Sequence, residues 1–425
     1  MLCQLVTFLH IRPPKKHYKM KIIQINVTAN SCSTGRIAEG IGLKAQKAGF
    51  DSWIAYGRWA NNSSSHLIRI GTKIDYLEHG IETRLFDNHG LASRRATGSF
   101  LKKIDTIKPD IIHLHNIHGY YLNYKLLFQY IRKKGIPVVW TLHDCWAFTG
   151  HCSHFSFCRC EKWRSGCFSC SQKRSYPLSL FLDRSKNNYE DKKKNFTSIS
   201  NLTIVSVSEW LENLVSQSFL GGSNHVVIHN GIDTAMFSPA SQSNEIRLKH
   251  GIRQNEMMLL GVAGVWDKRK GLHDFIELSK HLPPQQKIVL VGLTGKQIKT
   301  LPKTIIGIER TESTKQLSEY YSAANLFLNL TYEDNYPTTN LEAISCGTPC
   351  LTYKTGGSPE SITAETGFIV SQGNLESVQQ CINTVQKNGK ESYSSACRKY
   401  SLAHFRQEDC FNNYIKIYEA LLKKQ

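Results

Sequence analysis

Residues 330–360 read LTYEDNYPTTNLEAISCGTPCLTYKTGGSPE. The order of elements in this stretch is the end of an apolar strand, an acidic loop, a helix started by Pro337, a Gly-Thr-Pro turn, a short apolar strand from Cys350, and a Gly-Gly loop at Gly356 and Gly357. Strand, loop, helix, strand and loop make one α/β unit. Its polar residues gather after the strands, where open parallel sheets hold ligands.

The same alternation extends on both sides. Ahead of the quoted stretch lie apolar runs at Met257–Gly264, Lys287–Gly292, Ile305–Ile308 and Leu326–Leu330, and helical spacing over Ser313–Ala323. Much further upstream, Lys21–Val27 reads as a first strand and runs through small residues into a helix with Ile37, Ile41 and Ala45 on one face. Asp51–Tyr56 is a second strand, Gly57–Arg95 is polar and irregular, and a helix is expected near Phe100–Thr106. Two further buried strands end in histidines: Lys108–His115, followed by Asn116 and His118, and Ile136–Asp144, which closes on His143. A chain of 425 residues with this pattern is expected to form two α/β domains.

Composition narrows the function. The formal net charge is +19, yet its lysines and arginines are scattered, with neither a basic stripe nor a recognition helix, so no nucleic acid is expected as partner. Positive charge of this kind suits anionic substrates and an anionic membrane face. No run of about 20 apolar residues is present. In residues 1–19 the basic residues follow the short apolar stretch, the wrong order for a secretory signal, so a disordered or mis-started extension and a cytoplasmic protein are expected.

Six of the 13 cysteines lie between Cys145 and Cys170, in a loop-like stretch poor in apolar residues. Cys167 and Cys170 have the spacing of a zinc half-site, which Cys152 and Cys160 could complete as a structural tetrahedron; the alternative is a set of reduced, unliganded thiols. A single glycine, Gly35, precedes the first helix, so the three-glycine dinucleotide fingerprint is missing. That turn either caps the helix or leaves amides free for a phosphate. The run Lys268, Arg269, Lys270 beside Gly271 is either a solvated basic turn or a diphosphate clamp. Glu342 is either a favourable first-turn acid or an acceptor for hydroxyl groups. The strand-end histidines either brace their loops or face a ligand.

Glu333, Asp334, Asn335, Pro337, Glu342, Ala343, Cys346, Gly347, Pro349, Gly356, Gly357 and Glu360 together resemble the donor region of retaining nucleotide-sugar glycosyltransferases of family 4 (group 1), the bacterial enzymes of lipopolysaccharide, capsule and colanic-acid-like exopolysaccharide synthesis. The resemblance covers nearly all of the chain from Met20. It implies the GT-B fold, two Rossmann-like domains facing across a cleft: residues 20–232 on the acceptor side with a Cys-rich insertion at 145–170, 233–400 binding the nucleotide sugar, and a helix in 401–425 crossing back. It further implies that Glu342 meets the ribose, that Asp334 or Glu333 meets the donor sugar, and that Lys270 binds phosphate. Amides from Asn335 to Thr338, with Gly35, Gly356 and Gly357, would approach the donor.

The family's arginine after the first glycine of the phosphate loop is replaced here by Val265, leaving Arg269 as the substitute. On the facing domain, His115 is the histidine expected beside the transferred sugar, with His118 and His143 as further acceptor-side candidates. The expected reaction moves a sugar from a UDP- or GDP-sugar to a glycan or lipid-linked acceptor at the inner membrane surface, without a divalent metal. The alternative is a non-catalytic nucleotide-sugar or glycan-binding partner of an active transferase.

Overall fold

The computed structural model describes residues 19–423; apart from Lys19, the expected N-terminal extension lies outside the described residues. The first sheet contains β1 (Lys21–Asn26), β2 (Asp51–Tyr56), β3 (His66–Arg69), β4 (Ile111–Leu114), β5 (Val138–Leu142), β6 (Leu202–Ser206) and β7 (Asn224–Val227), in the order β3-β2-β1-β4-β5-β6-β7. The second contains β8 (Met257–Val262), β9 (Gln286–Val291), β10 (Ile305–Ile308), β11 (Leu326–Asn329), β12 (Cys350–Tyr353) and β13 (Gly367–Val370), in the order β10-β9-β8-β11-β12-β13. Every pairing is parallel. β4, β5, β6, β11 and β12 are buried at every position, as strands covered by helices on both faces must be, and so they read as unbroken apolar runs. The fold is α/β with two parallel sheets, the GT-B arrangement.

Strand order reverses between β1 and β4 in the first sheet and between β8 and β11 in the second. Connections on the two sides of such a point leave in opposite directions, which opens a crevice beyond the strand ends. The two crevices face each other across one cleft of about 610 Å³, lined from both sheets.

Gly57–Arg95 corrects the expectation from sequence. It contains β3, a helix Lys73–Phe86 and the start of a helix Arg94–Ile107. β3 was hidden because it is a four-residue edge strand with only Ile68 buried; the helix Lys73–Phe86 has Ile74, Leu77 and Ile81 at helical spacing, yet these face outward while His79, Gly80 and Thr83 are buried. Its start is set by a capping box between Thr72 and Asp75.

The chain crosses between the domains twice at one place. Ile232 donates to the Phe405 carbonyl (2.8 Å), and Gln407 donates back to Ile232 (3.0 Å). Only glycine fits beside this crossing, since a Cβ on Gly231 would stand 2.6 Å from the Gln407 Cα. The helix Gln407–Lys423 then returns to the first domain, burying Phe411, Tyr414, Ile415 and Tyr418 in a cluster with Ile22, Ile37, Ile41 and Ile111. Each contributes about 1.5–3 kcal/mol by burial. Two phenols also complete the first domain's buried polar groups: the Tyr418 hydroxyl is 2.6 Å from His113 Nδ1, and Thr141 donates to the Tyr414 hydroxyl (3.3 Å). Among the described residues no helix is long and apolar enough to cross a membrane.

Candidate active site

The second sheet supplies the charged wall of the cleft. The loop after β8 is pinned to the loop after β11, because Tyr332 donates its amide to the Arg269 carbonyl (2.7 Å) and Arg269 Nη1 donates to the Glu333 carbonyl (2.8 Å). Pinning the loops sets Lys270 Nζ against Asp334 Oδ2, both side chains about four-fifths buried. Burial alone would raise the Asp334 carboxyl, but Lys270 and Arg269 overcome it and hold it below the usual carboxylate range. Val265 presents an apolar side chain to the same wall, and Arg310, from the loop after β10, lines it too.

Thr338 begins the helix Thr338–Ser345, whose N-terminus points at the cleft. Glu342 is 2 % exposed; Tyr321 donates to it (2.8 Å), and Arg36 of the first domain is 3.9 Å away. Burial raises its pKa, with Arg36 and the hydroxyls of Tyr321 and Thr338 opposing. Its carboxylate reaches the cleft lining beside Thr338, and each carboxylate oxygen has lone pairs for more than one donor.

Other residues of the quoted stretch hold the domains together. Glu333 is buried and accepts the Phe157 amide (2.6 Å) of the Cys-rich segment, whereas Asp334 lines the cleft. Asn335 accepts the Ser208 hydroxyl across the domains. Glu360 accepts the amides of Glu209 (2.9 Å) and Trp210 (2.8 Å), capping a helix of the first domain, and meets His229 Nε2 at 2.9 Å. Gly356 and Gly357 are not in the cleft wall. A Cβ on Gly356, at φ 51°, would stand 1.8 Å from the Asp334 carbonyl oxygen, and one on Gly357 2.3 Å from that of Asn335. The backbone they admit is therefore that of the loop itself.

The first sheet supplies the opposite wall: Asn116, His143 and Asp144 from strand ends, Arg36 from the first helix, and His154 from the Cys-rich segment. Asp144 accepts the Trp146 amide (2.9 Å) and lies 2.9 Å from His118 Nε2; its carboxyl is held well below the usual range because His118, His154 and the Trp146 amide outweigh burial. His143 and His154 are each lowered to about 4, chiefly by burial, and are neutral at pH 7. His115 is 1 % exposed and lies behind this wall, between Gln24 Oε1 (3.0 Å) and His143 Nε2 (3.1 Å), with its ring stacked on that of His143. The geometry thus moves the cleft position from His115 to His143. Gly35 is likewise behind the wall, where a Cβ would meet the Thr28 hydroxyl at 2.6 Å. Arg36, Asp144, His154 and Arg310 were missed from sequence; Asp144 had a signal in its place after His143, and the others had none.

The expected thiolate tetrahedron does not assemble. Among the described residues no three His, Cys, Asp or Glu side chains come together to hold a metal ion. Cys152 and Cys170 hydrogen-bond to each other, which lowers the Cys170 thiol to about 7, and Cys167 accepts the Gly150 amide (3.1 Å). Order comes instead from buried aromatic rings, Trp163 stacked on Phe155 at 5.3 Å with Phe148 against both.

Comparison with known proteins agrees with this architecture. Residues 41–236 match the family model Glycosyltransferase Family 4, and residues 242–401 match Glycosyl transferases group 1. WcaC of Escherichia coli (strain K12), whose name assigns it to colanic acid biosynthesis as a glycosyl transferase, is 24 % identical over 95 % of this chain and 100 % of its own. Among solved structures, sucrose-phosphate synthase from Thermosynechococcus elongatus superposes with a TM-score of 0.71 at 16 % identity, covering 96 % of this chain and 100 % of its own. Anabaena HepE in complex with UDP-glucose superposes at 0.63 and 14 % identity, covering 94 % and 100 %.

Proposed function

The chain belongs to the family 4 (group 1) glycosyltransferases, and on that premise we propose that it moves a sugar, with retention of anomeric configuration, from a UDP- or GDP-sugar to a lipid-linked saccharide during cell-surface polysaccharide synthesis. The observation that carries this reading is the Lys270–Asp334 pair with Arg269, set across the cleft from Asp144 and His154. It is supported by the UDP-glucose held by HepE and by the colanic acid assignment of WcaC.

In this reading the diphosphate takes Lys270 from Asp334, with Arg269 and the first amides of the helix Thr338–Ser345 beside it. Glu342 accepts from the ribose hydroxyls, and Asp334, released, accepts from the donor sugar. The acceptor hydroxyl approaches from the wall of His143, Asp144 and His154, with His118 and His115 as positioning residues for Asp144 and His143. The acceptor oxygen bonds to the anomeric carbon as the carbon–phosphate-oxygen bond breaks. The electron pair leaves on the diphosphate, and the hydroxyl proton goes to the departing phosphate oxygen on the same face. Lys270, Arg269 and the helix terminus stabilise the charge that develops there, so transfer is expected to persist in a chelator. The reaction belongs at the inner face of the membrane, with the protein bound peripherally.

The test is nucleotide release from UDP-, GDP- and ADP-sugars in the presence of lipid-linked saccharide acceptors. Lys270→Ala should lower kcat/KM by about 100-fold. Wild-type turnover in that variant, or tight nucleotide binding without turnover on any acceptor, would refute the reading.

A further inference from the structure

Outside the cleft wall, the carboxyl edge of the first sheet carries a row of aromatic rings. Trp59, in the loop after β2, is 54 % exposed, and Tyr176, just beyond the Cys-rich segment, is 44 % exposed. Tyr76, from the helix Lys73–Phe86, is partly buried between them. Aromatic side chains gain much from burial, so rings held at a surface by their neighbours point to a binding site.

These neighbours are well defined. The Arg58 guanidinium lies over the Trp59 ring at 4.0 Å and over the Tyr76 ring at 4.5 Å, which fixes the two rings relative to each other. Tyr120 is buried and supports the next pair, meeting Tyr76 at 5.8 Å and Tyr176 at 6.0 Å, both edge to face. Its backbone stands at φ 70°, a left-handed conformation rare for so large a side chain, and such a residue persists only where its surroundings hold it.

Both ends of the row are tied to the cleft. At one end the Tyr176 hydroxyl is 3.0 Å from His118 Nδ1, and His118 Nε2 is 2.9 Å from Asp144 in the cleft wall. At the other, Ala29 donates its amide to the Trp59 carbonyl (3.0 Å), and the Asn30 side chain donates to the Asn62 carbonyl (2.6 Å). These bonds stitch the Trp59 loop to the loop after β1, whose continuation through Cys32, Ser33 and Thr34 lines the cleft. The rings therefore make a path that starts beside Asp144 and leads outward along the sheet edge to Trp59.

The chemistry of this path matches a sugar chain. A pyranose offers C–H faces, which the negative face of an aromatic ring attracts, and a rim of hydroxyls. The Arg58 fork and the Tyr76 and Tyr176 phenols stand among the rings as partners for such hydroxyls. We propose that Trp59, Tyr76 and Tyr176 form a platform for the sugars behind the reacting end of the acceptor, so that the protein extends an oligosaccharide and not a single lipid-linked sugar. The proposal rests on the reading of a saccharide acceptor and adds its length class. With the reacting hydroxyl beside Asp144, the sugar next to it lies on Tyr176, and those further back lie on Tyr76 and Trp59.

The test is binding of the full chain, without donor, to an immobilised panel of defined bacterial surface glycans running from single sugars to hexasaccharides. Wild type is compared with Trp59→Ala and Trp59→Phe. Trp59 is outside the cleft lining, so nucleotide binding reports folding. Wild type should retain trisaccharides and longer chains, Trp59→Ala should weaken that binding about tenfold, and Trp59→Phe should restore most of it. Equal binding by wild type and a folded Trp59→Ala overturns the proposal. So does a wild type that prefers single sugars or retains no member of the panel. Binding is read without transfer, so an active enzyme indifferent to Trp59 and to acceptor length sinks this inference alone. Oligosaccharide binding through Trp59 without turnover on any donor sinks only the transferase reading.

Discussion

Replacing Glu342 by Gln should weaken nucleotide binding about 30-fold. Glu342 is buried, its Tyr321 partner can donate equally well to an amide oxygen, and the nearest cation, Arg36, is 3.9 Å away. The variant therefore keeps its shape and its local hydrogen bond and loses its charge. A hydrogen bond to a charged acceptor is worth about 1.5–3 kcal/mol and a neutral one about 0.5–1.5, so two ribose hydroxyls lose roughly 2 kcal/mol together. The assay is calorimetric titration with the nucleoside diphosphate that binds, repeated with its 2′,3′-dideoxy analogue. If Glu342 holds the diol, wild type and variant should bind the analogue alike. An equal loss for both nucleotides, or no loss for either, would refute the assignment. Stability gives an independent check. Burial raises the Glu342 pKa, so the ligand-free protein carries a penalty that is absent below the unfolded carboxyl pKa and grows as pH rises through the folded one. Glu342→Gln should thus gain in Tm relative to wild type on going from pH 4.5 to pH 7.5.

Acid should unfold the protein early. His113 is lowered to about 3 and His143 and His154 to about 4, each mainly by burial, so the unfolded chain takes up protons below pH 6.5 that the folded one refuses, and each contributes a loss of about 2 kcal/mol at pH 5. Circular dichroism against pH should show the transition between pH 6.5 and 5, and full stability at pH 5 would contradict it. Gly356→Ala should drive the Asp334 carbonyl aside and lower kcat/KM by about 100-fold, since displacements near 1 Å have that effect; unchanged kinetics would show that the loop position is irrelevant. Glu360→Ala removes the acceptor from two amides of a helix in the other domain and should lower stability by about 1–2 kcal/mol while making the chain near Ile232 more sensitive to protease. Unaltered proteolysis would deny Glu360 a role in joining the domains.

The fold was legible because its central strands are buried on both faces, and runs such as IIHL and VVWTL can hardly be anything else. That Lys270, Asp334 and Glu342 line the cleft was legible for a related reason, as each follows from a strand end or a helix start in an alternation already fixed. The sequence misled where a residue's partner lies far along the chain. Glu333 and Asp334 are neighbours, and only the approach of Phe157, 176 residues away, separates their places, Glu333 against the Cys-rich segment and Asp334 in the cleft wall. Gly356 looked like room for a ligand and turned out to be room for backbone. His154 belongs to a segment without periodicity, so nothing local could say which way it faced. The helix Lys73–Phe86 did carry a signal, in the capping box of Thr72 and Asp75 and in Ile74, Leu77 and Ile81 at helical spacing, but the polar residues between them masked it.

The returning helix Gln407–Lys423 has a bearing on how the protein is made. At ribosomal speeds, about 10–40 s separate the emergence of β7 from that of Tyr418. Throughout that interval the outer side of the helix Cys32–Lys47 lacks Phe411 and Ile415, and His113 and Thr141 lack the two phenols that join them. The first half of the nascent chain can build its sheet but cannot seal it. Its core is closed by residues translated after the second sheet, so the first domain becomes native only when the second has already been threaded past it.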